Sequence, residues 1–108
     1  MIELLIASAI QLAMVQSAAA DSARAALRTC IKQAAEQAKT QKLPIGGFAD
    51  FAHQQCADQE SKFKAAVWAF DSKNKVSRKQ SEEDAQLQID DFVSLAAERL
   101  EMEAAPQQ

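Results

Sequence analysis

The sequence predicts an all-α fold: a small up-down-up three-helix bundle, helices 1 and 2 stapled by a disulfide, preceded by the helix of a signal peptide. Three observations lead there. The composition is rich in Ala, Gln, Glu and Lys and holds only two glycines, two prolines and no tyrosine in 108 residues, which favours helices over strands. Apolar residues recur at three- and four-residue spacing through three stretches separated by polar or Pro/Gly segments. Cys30 and Cys56 stand on either side of the first of those separators, the segment Lys42-Leu43-Pro44-Ile45-Gly46-Gly47.

A chain of this length is one domain, in the size range where a core alone gives little stability. Apolar residues make up 48% of the chain, but many are alanines, which bury little area each. The core therefore rests on a few large side chains, and a staple strengthens it.

The N-terminus has an apolar stretch from Leu4 to Val15 followed by Ala18-Ala19-Ala20, the h-region and cleavage pattern of a secretory signal peptide cut before Asp21. Glu3 and the absence of Lys or Arg depart from the usual basic n-region. Gln11 and Gln16 interrupt the run, which falls short of the ~20 apolar residues of a spanning helix. The expected organisation is a leader over 1–20, a helical domain over 21–105 and a disordered tail over 106–108. A retained, membrane-anchoring leader is the alternative.

Helix 1 is expected over about 22–41, with Asp21 as its N-cap. Ala23, Leu27, Cys30, Ile31, Ala34 and Ala38 share one face, a thin seam that admits a close neighbour. Pro44 and the glycines then break the chain, Pro44 disfavouring helix at the residue before it and the glycines allowing positive φ. No Gly-Lys-Ser or Gly-Lys-Thr follows them, so this is a turn and not a phosphate loop.

Helix 2 is expected over about 48–72, with Phe48, Ala52, Cys56, Gln59, Phe63, Ala66, Val67 and Phe70 inward. Asp58 and Lys62, and Glu60 and Lys64, are i,i+4 pairs in the favourable order. Cys30 and Cys56 lie roughly 16 Å and 12 Å from the turn along antiparallel axes at 1.5 Å per residue, and both face inward. A helix 1 to helix 2 disulfide follows, and it places the domain in an oxidising compartment, the periplasm or the outside of the cell.

The segment 71–82 carries an acid at its first and twelfth positions, yet Lys73, Lys75 and Val76 occupy places where a calcium loop needs ligands and a glycine. It reads as a connector, with Ser77-x-x-Gln80 and Ser81-x-x-Asp84 as alternative capping boxes. Helix 3, about 78–103, turns Ala85, Ile89, Phe92, Val93, Ala96 and Leu100 inward.

Little in the chain points to catalysis. The one histidine, His53, precedes Cys56 by three residues but sits about 60° round the helix from it at 100° per residue, toward the polar flank. The serines occupy caps, connectors or the leader, and the paired acids Glu82-Glu83-Asp84 and Asp90-Asp91 belong to a solvated face. The expectation is no enzyme, no cofactor and no metal; the alternative is a metal-binding or redox-responsive periplasmic protein using Cys30, Cys56 and His53.

Removing residues 1–20 removes one acid, Glu3, and moves the net charge from −3 to −2 (12 Lys and Arg against 14 Asp and Glu), which does not suggest nucleic acid. The charges are segregated, six cations against Asp71 over 61–80 and eight acids against Arg99 over 81–103. The two blocks are expected to face each other or to be simply solvated; the alternative is a basic patch touching anionic lipid or an acidic partner. Trp68 falls about 160° from the middle of the helix 2 core stripe at 100° per residue, beside Lys64. Leu87 lies opposite the helix 3 core face, with Leu95 and Met102 to one side of it. These five residues form the expected interaction surface, for another envelope protein or a second copy; the alternatives are that a bend, the following connector or the Lys64 stem covers Trp68, and that Leu87, Leu95 and Met102 widen the core. The function expected is that of a small exported binding or structural protein of the cell envelope.

Overall fold

The structure, a computed structural model, describes the backbone from Ile2 to Ala104 and the side chains from Ser17 to Ala104. The described residues are all-helical. Helix α1 is Ile2–Thr40, α2 Phe48–Gln55, α3 Ala57–Asp71 and α4 Arg78–Ala104; single 3-10 turns at Ile45–Gly47 and Ser72–Asn74 precede α2 and follow α3.

Two expectations about helix bounds are corrected. Helix 1 does not begin near residue 22, because α1 runs unbroken from Ile2 to Thr40, with no stop at Ala20-Asp21. Asp21 caps nothing: its carboxylate accepts from the Arg24 guanidinium at 2.7 Å, one turn on. The 106–108 tail lies outside the described residues. The second helix is also not continuous. At Cys56 the backbone takes φ −110° and ψ 19°, separating α2 from α3. The interruption keeps its hydrogen bonds, Cys56 N–H donating to Ala52 at 2.9 Å and Glu60 N–H to Cys56 at 2.9 Å, so it bends the rod without opening it.

The core joins the faces that periodicity selects. Leu27, Ile31, Ala34 and Ala38 of α1, Phe48 and Ala52 of α2, Cys56 between the helices, Phe63 and Val67 of α3, and Ala85, Ile89, Val93 and Leu100 of α4 are buried together. Phe48, Phe63, Leu27 and Ile89 supply most of its large apolar bulk, with alanines between them. Burying each such side chain is worth about 1.5–3 kcal/mol. Arg24 ties three helices at one level: its guanidinium lies 5.3 Å from the Phe63 ring centroid and its Nε donates to Gln88 at 3.0 Å. At the other end Lys39 of α1 pairs with Glu103 of α4. The Glu103 carboxylate raises the Lys39 pKa above its ordinary 10.5.

Both helix ends that precede a connector close in the same way. Lys42, at φ 55°, follows α1, with Leu43 N–H donating to Ala38 at 2.9 Å and Lys42 N–H to Lys39 at 3.1 Å. Lys75, at φ 62°, follows the 3-10 turn, with Val76 N–H donating to Asp71 at 3.1 Å. These are Schellman-type closures, whose left-handed position usually holds glycine. Gly46 and Gly47, which allow positive φ, do not use it; the lysines do.

At the start of α4 the cap is Ser77, whose Oγ accepts from Gln80 N–H at 3.1 Å. Only half of the capping box forms, since the Gln80 amide turns forward to Asp84 at 2.8 Å. Ser81, the alternative cap, lies inside the helix, buried, with its hydroxyl unpaired.

Candidate functional site

Cys30 projects from the C-terminal third of α1 and Cys56 from the break between α2 and α3. Their sulfurs stand at disulfide distance, the Cα atoms 5.8 Å apart across a sequence separation of 26. Cys56 is fully buried and Cys30 half-buried. Neither cysteine is free, and the Cys56 sulfur, on the core side, is out of reach of solvent. The Gln55 carbonyl oxygen lies 3.7 Å from Cys30 Sγ.

His53 turns away from the cysteines. Its Nδ1 lies 3.1 Å and 3.2 Å from the two Glu60 carboxylate oxygens, and Nε2 is 3.9 Å from Asp90. The histidine thus joins α2 to α3 through Glu60, with Asp90 of α4 nearby, and does not join Cys56 in a ligand set. Among the described residues no group of three His, Cys, Asp or Glu side chains converges to hold a metal ion. The Glu60 partner also corrects an expectation, since neither Glu60 with Lys64 nor Asp58 with Lys62 pairs among the described residues.

The expected interaction surface splits into two. Trp68 is only half exposed, and the Arg78 guanidinium lies 5.2 Å from its ring centroid. Arg78 opens α4, so the chain returning from the connector covers an indole that the helix 2 periodicity alone leaves in solvent. Lys64 is half-buried beside it in the sequence. On α4, by contrast, Leu87, Leu95 and Met102 are 63%, 58% and 77% exposed.

The segregated charges do not face each other as blocks. Of the six cations over 61–80, only Arg78 pairs with an acid of α4 among the described residues, Glu82 at 3.3 Å. Lys73, Lys75 and Lys79 are exposed around the connector.

Sequence reading missed a groove between α1 and α4. It is open, about 390 Å³ in volume, and lined by Ile31, Ala35, Phe92, Leu95 and Ala96 between the cations Arg28, Lys32 and Arg99. The Arg28 guanidinium lies 5.2 Å from the Phe92 ring centroid. Its signal in the sequence is the alanine on both walls: where two helices meet through Ala34, Ala35 and Ala96, the flanking large residues leave a trough.

Among the described residues no helix is long and apolar enough to cross a membrane. The chain matches no protein-family model, no curated protein and no solved structure.

Proposed function

We propose that this protein is a small exported module of the cell envelope, a disulfide-clamped up-down-up helical bundle that acts by binding through its outer faces and carries no catalytic site. The Cys30–Cys56 pair at disulfide distance carries the reading. Disulfides persist in oxidising compartments, and the apolar run from Leu4 to Val15 with Ala18-Ala19-Ala20 supplies a route there. The contacts supporting the topology are Arg24 with Gln88, Arg28 with Phe92 and Lys39 with Glu103, all 64 residues apart, so that α1 and α4 run in the same sense.

A second reading has its own observation. Because α1 runs without a break from Ile2 to Thr40, a leader left uncut extends the bundle as a rod, with the lysines of the connector toward that same end. The protein is then an anchored accessory subunit.

The test expresses the full chain with its N-terminus intact, separates soluble envelope and membrane fractions, and takes intact mass with and without reduction before alkylation. Loss of about residues 1–20 and a mass two hydrogens short of the reduced form support the exported module. An uncut chain in the membrane fraction supports the second reading. Two freely alkylated thiols on an uncut soluble chain refute both.

A further inference from the structure

The exposed face of α4 and the groove beside it form one surface with two opposite electrostatic edges. On the inner edge stand Arg28 and Lys32 from α1 and Arg99 from α4, beside a cluster in which Lys39 pairs with Glu36 and Glu103. On the outer edge, counting 100° per residue, Asp91 and Glu98 flank the stripe of Leu95 and Met102 on the side away from α1. Among the described residues none of Arg28, Lys32, Arg99, Asp91 and Glu98 is in an ion pair. The constant offset of 64 between α1 and α4 sets Arg28 level with Phe92 and Lys32 level with Ala96. The inner cations and the outer acids therefore repeat at matching heights along α4.

Two copies can meet over such a face in two ways. If their α4 helices run antiparallel about a two-fold axis, like edges meet, acid on acid and cation on cation. If they run parallel, each outer edge meets the other copy's inner edge. Only the parallel pairing is complementary. We propose that this face binds a second copy of the chain in a parallel two-fold dimer. Leu95 and Met102 cover each other and the groove, Asp91 lies opposite Arg28 of the partner subunit, and Glu98 lies near Lys32 and Arg99 of the partner subunit. The inference names a partner for the binding reading above and rests on it only in taking the outer faces as the working surface.

The test is analytical ultracentrifugation of the oxidised chain as isolated, with two double variants, Arg28→Glu with Lys32→Glu and Asp91→Lys with Glu98→Lys. The unaltered chain is expected at twice its monomer mass, and each variant alone is expected to lose at least about a hundredfold in dimer affinity. An equimolar mixture of the two variants recovers the dimer, since both contacts are again between opposite charges. That recovery also shows that both variants are folded. Met102→Cys, treated with a short bis-maleimide, is expected to cross-link the dimer, because the parallel axis keeps the two copies of this position together. A chain monomeric up to about 1 mM, a mixture that stays monomeric while both variants keep their helical circular dichroism, or a dimer without the Met102→Cys cross-link overturns the proposal. If the leader is cut and the disulfide is present in a monomeric chain, the exported-module reading stands without it.

Discussion

Reducing the Cys30–Cys56 bond is the most informative single perturbation of this fold. The bond closes a loop over a sequence separation of 26. In the chain-entropy treatment such a loop removes about 2.1 + 1.5R ln 26, or roughly 12 cal/mol/K, from the unfolded chain, which is ~3.5 kcal/mol at 25 °C. A domain of this length has a total stability on the order of 5–15 kcal/mol, so about a quarter or more of it depends on the bond. Packing adds to the loss in the same direction. Cys56 is fully buried, and two thiols must separate beyond bonding distance where the Cα atoms are held 5.8 Å apart. The assay is urea unfolding followed by helical circular dichroism and Trp68 fluorescence, with and without a phosphine reductant. The expected result is a stability lower by ~3–4 kcal/mol and a steeper denaturant dependence, because the reduced unfolded chain exposes more surface. A loss below about 1 kcal/mol refutes the reasoning, since it means that the hairpin of α1 with α2 and α3 stays closed in the unfolded chain without the bond.

Two further substitutions test the helix ends. Lys75 holds a left-handed conformation, φ 62°, that costs an ordinary residue about 1–2 kcal/mol. Lys75→Gly is expected to raise stability by about 0.5–1 kcal/mol after the unfolded-state entropy of glycine is subtracted, seen as a higher melting temperature with unchanged helix content. Ser81→Ala removes a buried hydroxyl that has no partner. It is expected to stabilise by about 1 kcal/mol, and a loss of stability in the same melt would show that the hydroxyl is paired in solution.

Much of the fold is legible in the chain, and what is not has identifiable physical causes. The buried faces of α1 and α4 coincide with the three- and four-residue spacing, because a helix that packs on one side must repeat its apolar residues at its own pitch. The approach of Cys30 and Cys56 followed from the same pitch, counted outward from a turn. The break at Cys56 did not, because neither Gly nor Pro marks it and the bend comes with the bond to α1. The left-handed lysines escaped for a similar reason. Glycine is the usual residue at such a position, but the closing hydrogen bonds and the inward Leu43 hold Lys42 in it. In hindsight Leu43-Pro44 is the readable sign, an apolar residue then a proline just past a helix end. Trp68 shows the limit of reading one helix at a time. Its cover, Arg78, is ten residues away across a reversal of the chain, and no periodicity within α3 reports it. The charges of the candidate face were visible singly, but their matching heights appear only when α1 and α4 are laid side by side.

The disulfide also divides the molecule in a purely covalent sense. With the bond closed, residues 30 to 56 form a ring, from which one tail leads to the N-terminus and a longer one carries α3 and α4. The connector 41–47, whose residues are largely exposed, lies inside that ring, whereas the exposed lysines at 73, 75 and 79 lie outside it. A protease that cuts once at the first site leaves a single covalent molecule, heavier by one water, with both halves of the hairpin still attached. A cut at the second frees α4, and with it the face that carries Leu95 and Met102. Trypsin-like cleavage therefore has opposite covalent outcomes at the two ends of the bundle: a nick that leaves one molecule at one, and two separate chains at the other.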